Sequence, residues 1–123
     1  MTAARTVSIL GSTGSIGTQA LTVIDEHPGR YEVVALAAGS NLRLTAQQAV
    51  ATRAPFVGLA QGSAEELREA IAAEASARGM GREAYRPEVV VGEEAAVLAA
   101  GSGADVVLNG ITGSIGLRPT LAA

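Results

Sequence analysis

The 123 residues, 48% of them hydrophobic and with a net charge of -3, suffice for one buried core and are too few for a dinucleotide domain plus a full substrate domain. The nine basic residues are scattered and all arginine, which removes a basic surface for nucleic acid or membrane and, with lysine absent, a Walker A loop, a Schiff-base lysine and a Tyr-x-x-x-Lys dehydrogenase pair. No cysteine and a single histidine exclude a disulfide framework and a Cys/His zinc site; no apolar run reaches the roughly 20 residues of a membrane span, and residues 1–5 lead straight into a strand, so a cytoplasmic location is expected.

The first predicted strand, over 6–10, breaks into Gly11-Ser12-Thr13-Gly14-Ser15-Ile16-Gly17, three glycines at steps of three, before a helical pattern begins near Ser15. Such a turn lets backbone come close to an anion, and the free N–H groups and positive dipole end of the following helix point at the same place. It is built to hold a pyrophosphate. The spacing is shifted from the commoner G-x-G-x-x-G, so its specificity comes from the strand-to-helix context. Ile16, Ala20, Val23 and Ile24 form one apolar stripe expected to lie on a sheet, and Pro28-Gly29 stop the helix. A second strand, over 32–37, runs into Ala37-Ala38-Gly39-Ser40-Asn41. NAD-binding domains place an acidic residue on the ribose there, roughly 20 residues after the glycine turn. Without a carboxylate, Ser40 and Asn41, with Arg43 as cationic partner, favour NADP over NAD. The same three residues, Gly39-Ser40-Asn41, also read as an ordinary loop with a helix cap.

A helix over 42–53 turns Ala46, Ala49 and Val50 inward, and a strand over 56–59 follows. Ser63 and Glu66 form a capping box that opens a helix burying Leu67, Ala70 and Ile71, which Gly79 and Gly81 close. After a strand over 88–91, Glu93 and Glu94 begin a short helix through Ala100 with Gly101 as its stop, and a strand over 105–108 follows. The alternation, with no second hairpin signal, predicts an α/β fold: one Rossmann-like, doubly wound domain over 1–123 with a mainly parallel sheet. A last helical pattern over 117–123 has no stop signal, so the chain is expected to be a piece of a longer protein, a frayed end being the alternative. Glu65, Glu66, Glu69, Glu93 and Glu94 sit where helix starts prefer negative charge, and no metal ligand is expected among them. His27 reads as a helix-end residue, and Arg78, Arg82 and Arg86 as a solvated face.

Residues 109–116, Asn-Gly-Ile-Thr-Gly-Ser-Ile-Gly, match residues 10–17 at six of eight positions. If their strands are neighbours at the switch point of the sheet, both loops open into one crevice, with Asn109, Gly110 and Ile111 near the nicotinamide or the substrate. Convergence of two short strand-to-helix turns on glycine and small caps is the alternative.

Residues 9–17, residues 33–41, and Gly113 with Gly116-Leu117 and residues 119–123 resemble the 1-deoxy-D-xylulose 5-phosphate reductoisomerase family along the whole chain. The resemblance implies NADPH-dependent conversion of 1-deoxy-D-xylulose 5-phosphate to 2-C-methyl-D-erythritol 4-phosphate in non-mevalonate isoprenoid synthesis, by a cytoplasmic homodimer needing Mg²⁺ or Mn²⁺. It puts the glycine turn, Gly11 with Thr13, Gly14, Ser15 and Ile16, on the NADPH pyrophosphate, and Gly39, Ser40 and Asn41 on the adenosine ribose phosphate. Ser40 stands where other members often carry a basic residue, which makes Arg43 the compensating cation. The family's acidic metal-binding cluster and Asn-Lys-Glu-Ser segment follow beyond residue 123, so no catalytic or metal residue is carried over, and this chain alone is expected to bind NADPH weakly without turnover. Another NADP-binding reductase and a non-catalytic NADP-sensing module are the alternatives. Of the former, an extended short-chain dehydrogenase lacks its Tyr-x-x-x-Lys pair here, and a semialdehyde dehydrogenase its cysteine.

Overall fold

The structure, a computed structural model, describes residues 4–81, 84–110 and 114–115. In chain order the elements are β1 (Arg5–Leu10), α1 (Ser15–Asp25), β2 (Tyr31–Ala38), α2 (Leu42–Thr52), β3 (Phe56–Leu59), α3 (Ala64–Ala77), β4 (Glu88–Val91), α4 (Ala95–Ala100), β5 (Val106–Asn109) and β6 (Ser114–Ile115). The strands form one sheet in the order β4-β3-β2-β1-β5-β6. The first five run parallel, which is the predicted Rossmann-like, doubly wound architecture.

The chain walks one way across the sheet from β1 to β4, then returns to the far side of β1 as β5. Right-handed crossovers then require α1–α3 on one face and α4 on the other. The two cores follow this division. Val7, Ile9, Val33, Leu36 and Val57 pack with Ala46, Ala49 and Val50 of α2 and Leu67, Ile71 and Ala75 of α3. Leu10, Ala35, Ala37 and Val107 pack with Ala99 and Ala100 of α4. On that second face the buried Ser8 hydroxyl donates to the Ala99 carbonyl at 2.8 Å, so a polar side chain in the core is satisfied by the end of α4.

Caps set the helix starts as the sequence predicts. Asn41 Oδ1 accepts from Leu44 N at 3.1 Å, and Ser63 Oγ accepts from Glu66 N at 3.3 Å. Arg53, in the left-handed region at φ 55°, caps the C-terminus of α2. His27 lies past the end of α1 with Nδ1 2.8 Å from the Val23 carbonyl, as a helix-end residue. Arg78 is held rather than merely solvated: its Nε pairs with Glu74 Oε2 at 2.7 Å.

Two expectations need correction, and β2 carries an irregularity of its own. The inward stripe of α1 is Gly17, Ala20, Leu21 and Ile24, while Ile16 and Val23 are 37% and 49% exposed. Contact between Gly17 and the turn before it fixes how the helix is rotated, and that rotation carries Ile16 and Val23 off the sheet. The alternation in β2 slips: Val7 pairs with Val33 but Ser8 with Ala35, so Val34 is an extra, bulged residue. Finally β6 runs antiparallel to β5, Leu108 opposite Ile115 and Asn109 opposite Ser114. Ser114 and Ile115 therefore cover the edge of β5.

Candidate functional site

The reversal between β1 and β5 opens a crevice at the carboxyl ends of the strands, where open α/β sheets bind ligands. Leu10 of β1 is level with Ala37 of β2 on one side and Asn109 of β5 on the other, so three loops start at one rim.

The first loop is held by its own backbone. Gly11 takes φ +72°, a conformation that glycine adopts without strain. Gly11 N and Ser12 N both donate to the Ala37 carbonyl, at 2.7 and 3.1 Å, which fastens the turn to the end of β2. Gly14 N donates to the Gly11 carbonyl at 3.0 Å, and Gly14 is the N-cap of α1 with no side-chain cap. Gly17 is buried because a Cβ there would lie 2.4 Å from the Gly11 carbonyl oxygen and 2.6 Å from Ser12 Cα. This close fit brings α1 down onto the turn. Gly14 has no such need: its φ is -78°, and a Cβ would meet the protein only at 3.4 Å. Thr13 is half-buried, while Gly14, Ser15 and Ile16 are exposed at the helix start. The first turn of α1 carries no acidic side chain, so its positive end has no carboxylate there to compensate it.

Gly39, Ser40 and Asn41 form the second segment, exposed at the end of β2. A Cβ on Gly39 would meet nothing within 4 Å. The loop is pinned from below, the Gly39 carbonyl accepting from Gln61 N at 3.0 Å. The cap reading is realised in Asn41, whose Oδ1 is spent on Leu44 N. Ser40 and Arg43, the latter on the first turn of α2, are exposed at the same rim.

The third loop meets the first directly. Gly110 N donates to the Leu10 carbonyl at 2.7 Å, and a Cβ on Gly110 would crowd the carbonyl oxygens of Leu10 and Gly11 and the Gly17 amide at 3.1–3.3 Å. Neighbouring strands thus bring Gly110, the first glycine of the second stretch, against the first turn. Yet Ser15-Ile16 begins a helix and the matching Ser114-Ile115 forms a strand, so the likeness in sequence is not one of backbone form. Ile111 lies outside the described residues, as do Gly113 and 116–123.

Sequence reasoning missed one contact at this rim. Gln48, on the inward face of α2, donates from Nε2 to the Ser12 carbonyl at 2.8 Å across 36 residues. The available signal was an amide lying among Ala46, Ala49 and Val50, on a face that also buries Thr45. No titratable group belongs to the three segments, and among the described residues no group of three or more His, Cys, Asp or Glu could hold a metal ion. A groove of about 870 Å³ between α1 and the strand starts, lined by Arg5, Val23, Arg30, Tyr31 and Val106 among others, includes none of the candidate residues. Among the described residues the candidate site is an exposed rim, Gly14 to Ile16 and Gly39 to Asn41.

Residues 7–123 match the profile of a family described as 1-deoxy-D-xylulose 5-phosphate reductoisomerase. The protein of that name from Paenarthrobacter aurescens (strain TC1) is 60% identical over 120 residues, 97% of this chain and 30% of the relative. One from Kitasatospora griseola is 53% identical over 94% of this chain and 29% of its own length. The chain thus spans about 30% of the curated relatives it matches. Among solved structures, the enzyme from Zymomonas mobilis in complex with NADPH superposes with a TM-score of 0.70 at 36% identity, over 85% of this chain and 25% of that one. A DOX-P reductoisomerase in complex with magnesium gives 0.75 at 27% identity, over 98% of this chain and 28% of that one.

Proposed function

We propose, since the chain belongs to the 1-deoxy-D-xylulose 5-phosphate reductoisomerase family, that it is the NADPH-binding portion of an enzyme converting 1-deoxy-D-xylulose 5-phosphate to 2-C-methyl-D-erythritol 4-phosphate in isoprenoid synthesis. The observation that carries this reading is the exposed start of α1, Gly14 to Ile16, opening beside the β1/β5 reversal with no acidic side chain in the first turn. Backbone amides there and a helix dipole of about half a positive charge receive a diphosphate. Gly11 shapes the turn, Thr13, Gly14, Ser15 and Ile16 face the diphosphate, and the missing side chain at Gly14 leaves room for its close approach. Gly39, Ser40 and Asn41 take the adenosine ribose and its 2′-phosphate, with Arg43 supplying the cation.

When bound, NADPH supplies hydride to the substrate. The part of this chain is to bind the coenzyme, orient it across the strand ends and supply preformed N–H donors. The residues described do not include a set fit for magnesium, and no step is assigned to a metal here. The family resemblance also carries a phosphorylated sugar as substrate and a cytoplasmic homodimer as the working form. Residues 1–123 make one dinucleotide-binding domain in this reading.

An amide-resolved titration of the ¹⁵N-labelled chain tests it. NADPH is expected to shift the amides of residues 13–16 and 39–41, and to bind more tightly than NADH. Unmoved amides in those two segments at saturating NADPH overturn the reading, and tighter NADH overturns the choice of coenzyme.

A further inference from the structure

A glycine turn is useful to an anion only if its amides stay aimed, and glycine itself supplies no side chain to hold it. Here the holding group comes from elsewhere. Gln48 is 8% exposed on the face of α2 that packs into the core, and its Nε2 donates to the carbonyl of Ser12, itself fully buried, at 2.8 Å. Ser12 is the residue on which Gly17 rests and the one whose N–H reaches Ala37. Seven residues before Gln48 on the same helix stands its cap, Asn41, which ends the other candidate segment. One side chain therefore ties the helix behind the ribose loop to the turn behind the diphosphate.

The core does not need this amide. Gln48 Oε1 has no hydrogen-bond partner, nor has the Ser12 hydroxyl, and unmatched buried polar atoms cost stability. An unbranched apolar side chain of the same length would fill the space without an orphan acceptor. A group kept at a cost to the fold is explained by what it holds in place. We propose that Gln48 is a positioning residue for the coenzyme: it fixes the Ser12 peptide so that the amides of the glycine turn are aimed before the diphosphate arrives. This rests on the reading of the site given above and names a buried residue that acts through the Ser12 peptide.

The test is Gln48→Met in the 123-residue chain, followed by NADPH titration, thermal melting and hydrogen exchange. Methionine removes the matched N–H and the orphan acceptor together, so the melting temperature is expected to stay within about 2 °C of the parent, since loss and relief nearly offset. NADPH affinity is expected to fall about tenfold, the equivalent of one aimed hydrogen bond. Exchange in the ligand-free variant is expected to quicken at residues 13–17 while α3 is unchanged. Unchanged affinity in a folded variant overturns the proposal and leaves the site intact. A variant that cannot fold, or that melts early with exchange raised everywhere, marks Gln48 as scaffold and overturns it too. A parent chain that does not bind NADPH overturns the site reading itself, which the variant arm alone does not.

Discussion

Two glycines three residues apart do different work, and the difference is measurable. A methyl at Gly17 would be driven into the Gly11 carbonyl at 2.4 Å, backbone against backbone, with no flexible atom to move. Gly17→Ala is expected to cost about 1–3 kcal/mol of stability and to weaken NADPH binding with it. Gly14→Ala meets only ordinary contact at 3.4 Å in a conformation open to any residue, so stability should change by less than about 1 kcal/mol while NADPH affinity drops. Chemical denaturation beside coenzyme titration checks the pair; equal behaviour of the two variants would mean that neither glycine leaves room for a ligand. The candidate turn was readable because glycine at fixed steps after a strand has few physical meanings. Gln48 was not, because a buried glutamine at helical spacing looks like any polar residue until its partner, 36 positions away, is in view.

Among the elements, legibility followed regular period and failed where the period breaks. Strict alternation along β2 joins Val33 with Ala35 and Ala37, whereas the bulge at Val34 places Val33 with Leu36 and Ala38 in one core and Ala35 with Ala37 in the other. The rotation of α1 was hidden for a related reason: hydrophobicity favours Ile16 and Val23, but backbone contact at Gly17 decides which face turns in. The join between β1 and β5 has a fastening of its own. Asp105 Oδ2 accepts from Thr6 N and Oγ1 at 3.0 and 3.2 Å, and Thr6 Oγ1 accepts from Asp105 N at 2.9 Å. These hydrogen bonds, helped by the charge of Arg5, hold the Asp105 carboxyl below the ordinary value of 3.8. Its stabilisation is therefore complete above that value and is lost as pH falls through the lower folded one. Urea melts from neutral to acid pH should show a shallower acid loss in Asp105→Asn than in the parent; identical profiles would remove Asp105 from the acid response.

At the scale of the molecule, alternating β and α signals suffice for a doubly wound sheet, since short right-handed crossovers leave few other arrangements. The return strand was legible too, but its partner was not: β6 is two residues long and pairs antiparallel inside a stretch whose sequence copies a strand-to-helix turn. So short an element carries no periodicity of its own. Membership of the family rests on 117 matched positions, residues 7–123, rather than on any one motif.

The Thr6–Asp105 fastening spans 99 residues, so the join between β1 and β5 closes only after all of the intervening chain has been made. β1 and β2 are made well before β5, so β1 is paired on one side while its other side stays open until β5 has been translated. The candidate rim is bounded on that open side by β5, so it is complete only once β5 is in place. Purified chains truncated near residue 100, which lack β5, should fail to retain NADPH, whereas chains extending past residue 110 should retain it; retention by both would remove β5 from the rim. A chain translated slowly through residues 92–105 would spend that interval with its central strand exposed to its neighbours.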